Sequence, residues 1–225
     1  MSTAQPPRLR GRRTRALLLN AAVDLFAARG FDGVNVADIA VAAKAHPNQV
    51  TYYFGSKDAL FVHAAFLMLL RDAARLEPIG RRQRTPAAFR AALSRTALAL
   101  PSVPAVVEAM SITRRRPELR PLAEQNLTVL FRQAEHYLTG ILARRGWAID
   151  RPAEVETRTF WSAVLGARLI AESGYPGTSA DVDVAGVLTI HDGQTTPTIH
   201  DGQTRRGENA APGPGGERQA PRGRS

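Results

Sequence analysis

Residues 46–60 read HPNQVTYYFGSKDAL, and the fold assigned to this run settles what its neighbours must be. Pro47 stands where a helix tolerates proline best, in a first turn whose amides have no intrahelical partner. From Pro47 to Phe54, Val50 and Phe54 share one side at i and i+4, while Asn48, Gln49 and Thr51 make a wet outer face and two tyrosines follow. Gly55 interrupts the run, and Ser56 can cap a further helix that carries Asp58 in its first turn. A short helix with an apolar inner pair and an outer row of amides and hydroxyls needs something for that row to meet.

Upstream, RTRALLLNAAVDLFAARGF puts Leu18, Ala22, Leu25 and Phe26 on one helical stripe, with Arg15, Asn20 and Asp24 off it. The spacing predicts a helix over 11–29, stopped by Gly30 with Phe31 as its apolar contact. After Asp32 and Gly33, Asn35 caps a second short helix, VADIAVAAKA, and Asp38 three residues on favours its positive end. The turn near Lys44 would suit a glycine if the backbone goes left-handed there.

Downstream, the helix begun at Ser56 is expected to run over 57–77 until Pro78. Residues 86–100, 103–115, 117–145 and 151–174 have helical texture, punctuated by Pro86, Pro101, Pro104, Pro117 and Pro152. Strand signals are lacking, so the fold class is all-α: a three-helix helix-turn-helix unit followed by a helical bundle. From 192 the composition turns to Gly, Pro, Gln, Thr and Arg, and TIHDGQT occurs at 189–195 and again at 198–204. Such a stretch buries too little apolar surface to order, and 192–225 is read as an unstructured tail.

Composition narrows the chemistry. The chain of 225 residues has no cysteine, which excludes disulfides and thiolate metal sites and fits a reducing cytoplasm. Its five histidines show no repeated short spacing, so neither a metal nor a cofactor is expected. No paired carboxylate, triad or phosphate loop has workable spacing, which speaks against an enzyme. No apolar run reaches the roughly 20 residues that span a bilayer, so no membrane partner is expected. The net charge is +10, and residues 1–57 alone carry an excess of five positive charges. A polyanion is the natural partner, met at the amino end.

Three short helices with a tight turn between the second and third describe a helix-turn-helix reader of duplex DNA, here with its pair over 35–54. Asn48 and Gln49 can contact an adenine edge in the major groove, and Thr51 offers a hydroxyl or a methyl. Tyr52 and Tyr53 can donate to phosphate, and Lys57 adds charge at a helix amino terminus. Asn35, Ala37 and Pro47 are further candidates for DNA contact, and Arg12 and Arg13 follow a basic arm, 1–10.

Residues 11–60 also resemble the amino-terminal domain of the TetR family of bacterial repressors, through LLNAAVDLFAARGF, VNVADIAVAAKA and NQVTYYFGSKDAL in that order. The resemblance covers roughly a quarter of the chain and is more specific than a lone helix-turn-helix pattern. It implies a homodimer on a near-palindromic operator, with an all-helical second domain that binds a small inducer and spreads the two heads. Lys44 stands where the family often has glycine, His46 where it often has a serine cap, and Ala37 where a longer side chain sometimes reaches DNA.

The division expected is therefore a head over 11–57 and a regulatory and dimerisation domain over 58–191. Phe66, Phe89, Leu93, Met110, Phe131, His136, Tyr137 and Trp161 are candidates for a pocket between helices. Phe160, Ala163, Val164, Gly166 and Ala167 are candidates for a dimer interface, formed by 151–174 together with 117–145 or 180–190. The runs Arg81-Arg82, Arg114–Arg116 and Arg144-Arg145 read as solvated helix ends. A dimeric architectural DNA binder without an inducer is the alternative reading of the same features.

Overall fold

The computed structural model describes residues 7–193, with side chains from Arg10 onward. Helices dominate, in the order α1 (Pro7–Arg29), α2 (Val36–Ala42), α3 (Pro47–Phe54), α4 (Lys57–Ala73), α5 (Glu77–Arg82), α6 (Pro86–Leu98), α7 (Val103–Arg115), α8 (Arg120–Arg145) and α9 (Ala153–Glu172). The all-α class and the helical pair of the head agree with the pattern read from the chain. α1 starts at Pro7, four residues before the expected point, with proline again in a first turn. Gly30 ends it at φ 69°, a left-handed stop that costs glycine little.

The head closes on aromatic packing. Phe26 of α1 meets the Phe61 ring of α4 edge-on at 4.9 Å, and Phe31 lies 4.9 Å from Phe61. Leu18, Ala22, Phe26, Val34, Ile39, Val50 and Leu60 are buried together, so the stripe predicted on α1 is the one that enters the core. Arg71 of α4 donates to Asn20 Oδ1 at 2.7 Å, tying α4 back to α1.

The turn between α2 and α3 is left-handed, and Lys44 occupies it at φ 51°. An L-residue carrying a side chain is strained there by roughly 1–2 kcal/mol. Lys44→Gly is expected to raise stability by about 1 kcal/mol, the strain relieved less the extra freedom glycine gains when unfolded. Urea unfolding of both proteins measures it; an unchanged midpoint would show the turn to be unstrained.

α4 does not reach Pro78 as one helix. It ends at Ala73, passes through a 3-10 turn at Ala74–Leu76 and restarts as α5, in which Pro78 lies in the first turn. Proline lacks the amide a continuous helix needs and crowds the carbonyl four residues back, so the break falls one turn early.

Two short strands were not foreseen. Trp147–Ala148 (β1) pairs antiparallel with His191–Asp192 (β2), and Gly193 N donates to Gly146 O at 3.1 Å. The first five residues of the first TIHDGQT copy, 189–193, therefore enter the fold. Ile190 is buried, and Thr189 donates through N at 3.1 Å and through Oγ1 at 2.6 Å to the Glu156 carboxylate. The tail expected from 192 starts too early by at least two residues; its remainder, with the second copy, lies outside the described residues. The segment before β2 holds a 3-10 turn at Ser179–Asp181 and no α-helix.

Among the described residues no single helix is long and apolar enough to cross a membrane, and no group of acidic and histidine side chains is arranged to hold a metal.

Candidate nucleic-acid interface

α3 is seated by its inner face. Val50 and Phe54 are buried, and the Phe54 ring lies 4.8 Å below the Arg15 guanidinium and 5.7 Å from the His63 ring. This grip from α1 and α4 fixes the rotation of the helix, and so which residues face away. Pro47, Asn48, Thr51 and Tyr52 are exposed, Tyr52 to 80%.

Gln49 is only partly on that outer face. Its Oε1 accepts from His46 N at 3.0 Å, while His46 Nδ1 accepts from Asn48 N at 3.4 Å. His46 and Gln49 thus form a capping box, with histidine in the role serine often fills. Half of the Gln49 amide is spent on the helix end, which leaves Asn48 and Thr51 as the freer polar groups. The signal was present in the sequence as the three-residue spacing from His46 to Gln49.

Around α3, Asn35 Oδ1 accepts from Asp38 N at 2.8 Å and Asp38 Oδ2 accepts from Asn35 N at 3.0 Å, a second capping box. Ala37 is exposed on α2, as are Arg12 and Arg13 on α1. Tyr53 is half-buried, packed edge-on against Tyr52 at 4.9 Å and close to Gly11, where an added Cβ would lie 3.4 Å from its hydroxyl. Lys57 opens α4 with its Nζ 4.1 Å from the Phe31 ring centre, a cation-π contact that orients the charge at that helix end.

His63 joins α4 to this grip: Arg15 Nη2 lies 3.3 Å from its Nε2. Burial, reinforced by the Arg15 charge, lowers its pKa from 6.5 to about 4. The unfolded chain therefore takes up this proton first, so the folding stability held above pH 6.5 is lost as pH falls toward 4. For this partly solvated ring the loss by pH 5 is expected to be about 1 kcal/mol after allowing for screening. His63→Gln should remove that slope from denaturation curves at pH 7 and pH 5; an identical slope would mean that His63 keeps its ordinary pKa in the fold.

Known proteins carry the same two parts. Residues 18–64 match the family model for bacterial regulatory proteins of the tetR family, and residues 86–189 match that for the bacterial transcriptional repressor C-terminal domain. A crystal structure from Rhodococcus sp. RHA1, put forward as a transcriptional regulator, is 36% identical, covers 77% of this chain and 91% of its own, and superposes with a TM-score of 0.62. This chain belongs to the TetR family of bacterial transcriptional regulators. The HTH-type transcriptional repressor NicS of Pseudomonas putida is 44% identical over 50 residues, 22% of this chain and 24% of that protein. The match thus spans about a quarter of that relative's length. A second structure from Rhodococcus sp., put forward as a TetR-family regulator, shares the fold at 18% identity with a TM-score of 0.56, covering 78% of this chain and 96% of its own.

Beyond the DNA-binding helix-turn-helix, this TetR-family chain has a cavity of about 280 Å³ between the end of α4, α6, α8 and α9. Its wall includes Leu70, Ala73, Leu93, Ala134, Tyr137 and Trp161. Of the residues expected there, Leu93, Tyr137 and Trp161 line it. Phe66 and Phe89 are fully buried in the core, Met110 and His136 are exposed, and Phe131 is half-buried outside the lining. Tyr137 is held by both sides of its hydroxyl, donating to Leu76 O at 2.8 Å and accepting from Gly80 N at 3.1 Å. Burial pushes the Tyr137 phenol above its ordinary pKa, so it keeps its proton. The polar groups on the wall are Glu77, Gln133, Tyr137 and Thr157; none is basic.

A larger cleft of about 610 Å³ is lined by α1, α4 and α7, where Asp72, Glu108 and Glu172 stand on a mixed wall. Burial, then Asp32, raise the Glu108 pKa against the pull of Arg115.

On α9 the structure divides the five expected interface residues. Phe160, Val164 and Ala167 are buried in this chain's own core and have no surface to offer a partner. Ala163 and Gly166 lie on the other side, in a stripe with exposed Val155, Ser162, Leu169 and Ile170. The aromatic side chains of the helix, Phe160 and Trp161, turn inward, where they remove the most apolar surface from water.

Proposed function

We propose that this TetR-family regulator is a ligand-responsive homodimeric repressor of a palindromic operator, with a head over 11–57, a regulatory and dimerisation domain over 58–191, and α3 in the major groove. The observation that carries the reading is the fixed rotation of α3: a buried pair, Val50 and Phe54, opposite the exposed Asn48, Thr51 and Tyr52. Asn48 suits an adenine edge, Thr51 a thymine methyl or an acceptor, and Tyr52, Tyr53, Lys57, Arg12 and Arg13 suit phosphates. Gln49, its carbonyl spent on the cap, serves base reading only through its amide hydrogens. Repression is supported by the description of the C-terminal family model and of the Pseudomonas relative.

The cavity supports an inducer that is largely apolar, with at most a few hydrogen-bonding groups, since its wall offers aromatic and aliphatic side chains and no cation for an anionic ligand. Its wall includes Leu70 and Ala73 at the end of α4, and α4 begins at Lys57 beside the recognition helix. A ligand that displaces that end moves the head on a single lever, and half-sites spaced about 34 Å apart tolerate little displacement. The cavity favours this account over an architectural binder that merely dimerises.

The test uses the DNA upstream of the protein's own gene, searched for inverted repeats. Asn48→Ala is expected to weaken binding to the repeat by about 1–3 kcal/mol, and to leave binding to random duplex unchanged. Equal losses on both would remove Asn48 from base reading.

A further inference from the structure

α7 belongs to the regulatory part, yet it is fastened along α4 at both ends. At one end Ser102 N donates to Asp72 Oδ2 at 3.2 Å. At the other, Arg116 Nε lies 3.1 Å from Asp58 Oδ2, in the first turn of α4. The two helices are therefore antiparallel, and the last turn of α7 is brought beside the first turns of α4, within a turn of Ser56 and Lys57. Three consecutive arginines, 114–116, arrive at that level. Arg116 takes up the available acids, Asp58 and, at 3.9 Å, Glu118. Arg114 and Arg115 are exposed and have no carboxylate or hydrogen-bond partner among the described residues. Glu108, two turns earlier, is under the influence of both Arg115 and Lys57, so the charges of α7 and of the α4 start share one neighbourhood. A favourable helix dipole explains why cations are tolerated in this turn, but not why two of them stay unpaired beside the head.

We propose that Arg114 and Arg115 are a second phosphate anchor, by which the regulatory domain itself grips the DNA backbone flanking each half-site. The proposal rests on the reading of α3 as the DNA-facing helix. Backbone contacts of this kind carry no sequence information; they add affinity by releasing counterions and hold the register of the head. They also let α7 report directly on bound DNA, since any shift of α7 along α4 changes the distance between this anchor and the one at Lys57.

The experiment is a salt titration of binding to a random-sequence duplex, read by fluorescence anisotropy between about 50 and 200 mM salt. The double variant Arg114→Gln/Arg115→Gln is expected to flatten the plot of log affinity against log salt by roughly two units per protomer. Arg114→Lys/Arg115→Lys, which keeps both charges, should retain most of the wild-type slope. Arg144→Gln, at the far end of α8, should leave it unchanged, and melting curves verify that all variants fold. A slope in the glutamine variant equal to wild type overturns the anchor alone. Wild-type protein that ignores the duplex at low salt overturns the anchor together with the DNA-facing reading of α3.

Discussion

Gly166→Arg is expected to give a folded monomer whose affinity for the operator has fallen by about two orders of magnitude or more. A Cβ added at Gly166 meets nothing within 4 Å, so the fold of the single chain has room for the new side chain. The surface it enters is the outer stripe of α9, where Ala163 and Gly166 stand between Val155 and the exposed pair Leu169 and Ile170. Small residues at the centre of such a stripe let a second helix approach at 8–10 Å, and a charged arginine there would have to be desolvated without a partner. In the proposed homodimer, losing the interface separates the two heads, and each half-site is then bound with single-site affinity. Sedimentation velocity and anisotropy on the operator read both effects. A dimer that survives the substitution would move the interface away from α9.

The same helix shows where the sequence was legible and where it was not. Its period and ends could be read, since both depend on residues within a few turns. Which of its two apolar stripes faces inward depends on what α6 and α8 place opposite. The stripe of Phe160, Val164 and Ala167 is the larger and packs inside; the smaller one was left for the surface. The cavity was misjudged for a related reason. Phe66 and Phe89, named as pocket candidates, are large side chains that fill space in the core, and the void opens beside Ala73, Ala74 and Ala134. Head residues were far more legible, because caps at Asn35 and Ser56 and the inner pair Val50 and Phe54 are local signals. The strand pair Trp147–Ala148 and His191–Asp192 joins residues distant in the chain over only two positions each, too few for an alternating pattern to show.

Glu156→Ala is the largest stability loss expected in the regulatory part, about 3 kcal/mol, the lower end for breaking a buried ion pair because its partner can regain water. Glu156 is fully buried on α9, where Arg151 Nε donates to it at 2.8 Å alongside the two bonds from Thr189. Burial disfavours its charge, but the hydrogen bonds from Arg151 and Thr189 outweigh that and hold its pKa below the ordinary 4.5. The stabilisation is therefore present above pH 4.5 and is lost as pH falls through the lowered value, a dependence the alanine variant should lack. Arg151 also donates to Val187 O, so one buried carboxylate organises the whole segment 187–189. Leu188 of that segment closes one side of the 280 Å³ cavity. Removing the carboxylate should lower the melting temperature by about 6–12 °C, and should raise amide exchange over residues 187–190 without raising it in α1–α3. It should also weaken any ligand that fills the cavity, because the wall carrying Leu188 is then held by fewer bonds, among them that from Arg90 Nη1 to Leu188 O. Unchanged exchange at Thr189 would show that the segment is held by the β1–β2 pairing and the burial of Ile190 instead, and that the cavity wall does not depend on Glu156.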